Sequence, residues 1–176
     1  RRKHIGPTGK GTGMKMVCVN ENNREMVTSF IKEHWFTTEM VIRGDIIDMT
    51  RAEGIIALDE KENISGLITY MIKDSVCEIT SLDSLQENRG TGTALIQEMI
   101  RLAEDKGCEK IVLVTTNDNI NALRFYQKRG FDMVRIYRNA LDKSRSLKPE
   151  IPLVGENDIP LKHEIEFELL LNKENE

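Results

Sequence analysis

The sequence predicts an α/β fold: a mixed, mostly antiparallel sheet of about seven strands, about four helices, and one parallel strand-helix-strand crossover at its centre. Three observations carry that expectation. Ser75 to Lys106 switches from period-two alternation to helical spacing across a turn containing Gly90 and Gly92. Ile111 to Val114 then follows as a continuous apolar run, the signature of a strand buried on both faces. The remaining strand-like segments alternate and are joined by short polar connections.

Met14 to Val19 reads as a short apolar strand, followed by a helix with Asn22 and Glu25 as a capping pair and Met26, Val27, Phe30 and Ile31 as its buried stripe. Trp35 and Phe36 end that helix. The segment that follows has no clean period. Either a second short helix packs Ile46, Ile47 and Met49, or Met40, Arg43 and Asp45 line a substrate pocket. Gly54 to Asp59 and Ile64 to Ile72 form strands joined by Glu60-Lys61-Glu62-Asn63.

The central strand runs from Val76 to Leu82. Simple alternation places Val76, Glu78, Thr80 and Leu82 on one face and Cys77, Ile79 and Ser81 on the other. The helix after Gly92 carries Leu95, Met99 and Leu102 and stops at Gly107. Asn119 or Asn117 caps the next helix, with Ile120, Leu123 and Tyr126 as candidates for its buried stripe and Gly130 as its end. Phe131 to Ile136 is the following strand. Leu141 to Leu161, with three prolines and no period, reads as a long loop. His163 to Leu171 alternates Glu164, Glu166 and Glu168 against Ile165, Phe167 and Leu169, a strand with one solvated face.

Composition excludes several classes. Lys plus Arg number 25 against 29 Asp plus Glu, a net charge of -4 that leaves no basic footprint for nucleic acid. No apolar stretch has the length of a membrane span, and no signal peptide is visible, so a cytoplasmic location is expected. Cys18, Cys77 and Cys108 lack metal-ligand spacing, and no His cluster exists, so no metal is expected; the thiols read as reduced, and the two in apparent strands as small apolar fillers. Residues 1–13 read as a flexible extension, 14–171 as a single domain and 172–176 as a tail.

Between the central strand and helix, the amides around Gly90 and Gly92 lie where a helix leaves its first N–H groups unpaired. They form either an anion cradle or a plain strand-to-helix turn. A dinucleotide fingerprint is excluded because Leu95 stands where its third glycine belongs, and no Lys-Ser/Thr pair completes a Walker loop.

In that order, the stretches SLDSLQENRGTGTALI and NDNINALRFYQKRGF resemble the GNAT superfamily of acyl-CoA N-acyltransferases, over roughly Met14 to Leu171. The resemblance implies acetyl-CoA as co-substrate, with the pyrophosphate held by the amides of Arg89, Gly90, Thr91, Gly92 and Thr93. It implies that the Leu82 backbone faces the thioester, that Asn119 and Tyr126 contact the coenzyme arm, and that the last strands form a homodimer. Glu87 departs from the family pattern, which has Gln or Arg there; a carboxylate so close to a pyrophosphate repels it and should turn to solvent or to Arg89.

The reaction so implied moves an acetyl group to a primary amine. Tyr126 is the candidate acid for the departing thiolate, since a phenol stays protonated at neutral pH, or else it is a core aromatic. Glu78 is the candidate base, with Asp83 and water as alternatives. The acceptor is a small-molecule amine or, alternatively, a peptide lysine or N-terminus; a third reading is a silent acyl-CoA sensor.

Overall fold

The computed structural model describes residues 13–35, 37–86 and 89–171. The expectations for Phe36, Glu87, residues 1–12 of the extension and the 172–176 tail lie outside the described residues.

Seven strands form one sheet in the order β1-β4-β5-β6-β7-β9-β8. They are β1 (Lys15–Cys18), β4 (Glu53–Leu58), β5 (Ile64–Lys73), β6 (Val76–Ser84), β7 (Lys110–Thr116), β8 (Asp132–Tyr137) and β9 (Glu164–Leu170). All neighbours are antiparallel except β6 and β7, which are joined through helix α2 (Thr91–Asp105) as the parallel crossover anticipated from the sequence. Among the described residues, no helix is long and apolar enough to cross a membrane.

Each face of the sheet has its own apolar cluster. On one face α2 buries Leu95, Ile96, Met99 and Ala103 against Ile68, Cys77, Ile79, Ile111 and Phe167; Tyr126 of α3 (Ile120–Gln127) joins them. On the other face α1 (Arg24–Trp35) buries Val27, Phe30 and Ile31 against Ile56, Leu58, Ile64 and Leu67. Met26 and Ile120, expected in buried stripes, are exposed, since each begins the solvent side of its helix. Cys18 is also exposed, while Cys77 and Cys108 are buried.

Two segments differ from expectation. The segment after α1 holds no second helix but a hairpin, β2 (Glu39–Ile42) and β3 (Asp45–Asp48), ending in a 3-10 turn at Met49–Arg51. Its turn is Arg43-Gly44, with φ of +51° and +80°, the left-handed pair that matches strand twist. An arginine at such a position is unusual, and Ile46-Ile47 fits either period, so the hairpin was hidden. The expected loop from Leu141 to Leu161 instead opens within α4 (Ala140–Leu147), which buries Leu141 and Ser144. Arg145 ties it down by donating to the carbonyls of Pro152 at 2.7 Å and Ile151 at 3.3 Å. With only two buried positions, one of them polar, this helix leaves no apolar stripe to read.

Candidate active site

The site begins with a fault in the ladder. Tyr70 of β5 opposes Ile79 and Thr69 opposes Ser81, so Thr80 is an extra residue, a β-bulge in β6. The Thr69 hydroxyl, on a residue 1% exposed, contacts the Thr80 and Ser81 hydroxyls at 2.7 and 2.5 Å and keeps the polar groups there satisfied.

The bulge inverts the alternation beyond it. Leu82 opposes Ile68 and packs with the α2 cluster, as Ile79 does, whereas Glu78, Ser81 and Asp83 share the opposite face. The expected common face for Glu78 and Leu82 is therefore corrected: one added residue flips every later side chain.

The bulge also bends β6 away from β7. The two strands pair only from Val76 to Glu78 against Lys110 to Val112, and past that point they part. A cavity of about 500 Å³ fills the gap, lined on its β6 and β7 sides by residues including Leu82, Asp83 and Val114, and closed by Asn119, Tyr126, Trp35 and Met40. Leu85 N–H donates to Ser65 O at 3.0 Å. By the alternation of an antiparallel ladder, Ser81 and Asp83 then turn their backbone groups to β5, and Leu82 turns its N–H into the gap.

Asn119 and Tyr126 arrive on α3, which starts at the same end of the gap. The Asn119 side chain accepts the Ala122 N–H at 2.9 Å and so caps the helix as expected. Tyr126 is 7% exposed, edge-on to Phe125 and Phe131, and burial pushes its phenol well above the ordinary value. It is both core aromatic and cavity wall.

The cradle lies at the start of α2. Gly90 adopts φ +76°, and the first intrahelical bond runs from Ala94 N to Gly90 O at 2.9 Å, so the amides of Thr91, Gly92 and Thr93 have no helical acceptor. Arg89 is exposed beside them. A Cβ on Gly92 would meet the Phe125 ring at 3.2 Å, so the absent side chain lets α3 close against α2. Arg129, which the sequence reading missed, donates to the Thr93 hydroxyl at 2.6 and 3.1 Å and lies 3.5 Å over the Phe125 ring. Among the described residues no carboxylate pairs with it. A guanidinium added to the positive end of a helix makes a site for a polyanion. By sequence alone, Arg129 passes for an ordinary cation at the end of α3.

Glu78 does not line the cavity. Arg43, on the tip of the β2-β3 hairpin, donates to it at 2.6 Å, to Glu166 at 3.3 Å and to the Tyr137 hydroxyl at 3.2 Å. Asp83, the alternative carboxylate, does line it and accepts the Trp35 indole N–H at 2.8 Å. The face of Glu164, Glu166 and Glu168 is not the solvated stripe expected: Glu164 is only 9% exposed, Glu166 is bound by Arg43 and Tyr137, and Glu168 by Lys110.

The Acetyltransferase (GNAT) family model matches residues 20–131. Uncharacterized protein YdhI of Bacillus subtilis (strain 168) is 46% identical over 159 residues, covering 90% of this chain and 99% of its own. Uncharacterized protein YxbD of the same organism is 43% identical over 161 residues, with 92% and 99% covered. Among solved structures, a Bacillus subtilis acetyltransferase in complex with CoA superposes with TM-score 0.66 at 20% identity, over 90% of this chain and 99% of that one. A GNAT family acetyltransferase from Elizabethkingia anophelis with acetyl-CoA bound gives 0.63 at 20% identity, over 92% and 100%. At such identities the likeness is one of fold.

Proposed function

Because the chain belongs to the GNAT acetyltransferase family, we propose that it moves an acetyl group from acetyl-CoA directly to a primary amine of a small molecule. The observation that carries this reading is the gap between β6 and β7, with the Leu82 N–H directed into it and an anion cradle at its end.

The described residues fit the coenzyme. The Gly90 to Thr93 amides, Arg129 and exposed Arg89 suit its pyrophosphate, and Asn119 and Tyr126 stand where its arm enters the gap. When bound, acetyl-CoA supplies an acyl group activated as a thioester. Leu82 N–H donates to the thioester oxygen, where one such donor in a dry site is worth about 3 kcal/mol. Tyr126 holds a proton on its hydroxyl, kept there by burial, for the departing sulfur. Asp83 takes the amine proton, directly or through water, because it lines the cavity whereas Glu78 is occupied by Arg43.

The test is release of free thiol from acetyl-CoA with a panel of small primary amines and lysine peptides. Turnover is expected with small amines, and Tyr126→Phe should lower kcat at least tenfold, against the roughly 10²–10⁴ that acid-base catalysis contributes. Near-normal turnover in that variant removes Tyr126 from the mechanism. Coenzyme binding without thiol release from any amine would leave a sensor.

A further inference from the structure

Among the described residues one buried side-chain oxygen has no hydrogen-bond partner, Oδ1 of Asp118. The residue is 5% exposed, and among the described residues no cation pairs with it. A half-satisfied carboxylate costs stability where it is buried. Such costs persist where the geometry they maintain serves a site.

The other oxygen, Oδ2, accepts the Glu156 N–H at 2.8 Å. Glu156 opens the tip of the segment between α4 and β9, a narrow excursion closed by the bridge between Val154 and Pro160 and by the Gly155 N–H, which donates to Ile159 O at 2.9 Å. The tip is strained, for Asn157 and Asp158 both stand in the left-handed region, at φ +56° and +57°. It also lies tightly on the carboxylate: a Cβ on Gly155 would come within 2.0 Å of Oδ2.

The residues on either side of Asp118 give this contact its place. Asn117 holds the base of the same excursion, its side-chain oxygen accepting the Lys162 and His163 N–H groups at 2.9 and 2.8 Å and its amide donating to Pro160 O at 2.9 Å. Asn119 caps α3 and stands in the cavity wall. Because its oxygen is committed to the Ala122 N–H, only its amide N–H groups remain for a ligand in the cavity. The direction of that amide follows from the short link between β7 and α3, and Asp118 is the residue of the link that ties it to the tip.

We propose that Asp118 is a positioning residue for the coenzyme arm: by holding the 156–158 tip it fixes the start of α3, and with it the direction in which Asn119 presents its amide to the cavity. A site residue is placed only as well as the groups behind it are locked. The proposal rests on the acetyl-CoA reading for the ligand that Asn119 meets.

Coenzyme A and ADP, which has the pyrophosphate and lacks the arm, are titrated calorimetrically into wild type, Asp118→Ala, Asp118→Asn, Gly155→Ala and the Asp118→Ala/Gly155→Ala double variant. Asp118→Ala should weaken coenzyme A roughly fivefold, the worth of about one hydrogen bond, and leave ADP within about twofold of wild type. Asp118→Asn keeps an acceptor for the Glu156 N–H and should restore coenzyme A to within about twofold. Gly155→Ala pushes the tip off the carboxylate and should reproduce the selective loss; should Asp118→Ala not fold, it carries the same test from the other side of the contact. The double variant should be no weaker than Asp118→Ala alone, since the two changes break one contact. Unchanged coenzyme A affinity in both single variants, an equal loss for ADP, or losses that multiply in the double variant overturn the positioning role while the coenzyme reading stands. Wild type that does not bind coenzyme A refutes the coenzyme reading, and the positioning role falls with it.

Discussion

Glu164 illustrates how one residue's environment decides what its sequence position cannot. In the run HEIEFEL it is indistinguishable from Glu166 and Glu168; all three alternate with apolar neighbours, and alternation reports a face, not its cover. What separates them is long-range: Lys110 comes from β7 and Arg43 from the distant hairpin. Asn119, Tyr126 and Gly90 were legible because their signals are local, namely a cap, a helix stripe and a left-handed turn. The raised Glu164 carboxyl also has a consequence for stability. A carboxyl whose folded pKa lies above its unfolded value has its charged form penalised by folding, so the cost is absent below the carboxylate range and grows as pH rises through the folded value. Glutamine has no such charge. Glu164→Gln should therefore raise Tm at pH 8, by an amount on the order of 2 °C, with the gain vanishing near pH 4. A fall in Tm at pH 8 would mean that the carboxylate has a stabilising partner within the chain.

At the scale of elements, most boundaries were readable because apolar runs, polar turns and glycine stops agree. The bulge at Thr80 was not. Nothing in CEITSLDS marks it; Thr69, eleven residues away, stabilises it through a hydroxyl contact, and its effect is to turn Leu82 and Glu78 to opposite faces. The start of α2 is the converse case, readable as a turn but not as a junction. Phe125 of α3 fills the space left by the missing Gly92 side chain and supports Arg129, which in turn binds Thr93. Gly92→Ala should consequently affect binding and folding in opposite senses. Alanine favours a helix by up to about 1 kcal/mol over glycine, so Tm of the free protein should hold or rise. Its Cβ, 3.2 Å from the Phe125 ring, should displace that ring and Arg129 with it, weakening acetyl-CoA by something on the order of fivefold in calorimetry. Unchanged affinity would detach Arg129 from the coenzyme site.

For the whole molecule, the parallel crossover within a mostly antiparallel sheet was legible from the change of period after Gly92, but the place of β9 between β7 and β8, the hairpin and α4 had to be seen, since they are held by tertiary contacts rather than by period. The site they close is assembled from β6, β7, α2, α3 and the hairpin. None of these holds a ligand alone, so a ligand that bridges them should bind the folded chain and not the unfolded one. Acetyl-CoA at about 100 times its Kd should then add about 2.7 kcal/mol of stability. For a domain of this size that is a rise in Tm of roughly 5–10 °C. Free coenzyme A should give most of the rise, because the cradle and the arm contacts do not involve the acetyl group. ATP separates recognition of the whole coenzyme from attraction of any polyphosphate to Arg129 and the α2 terminus. A rise with ATP equal to that with acetyl-CoA would reduce the site to an electropositive helix end, and no rise with any of the three would mean that Gly90 and Gly92 serve only to turn the chain.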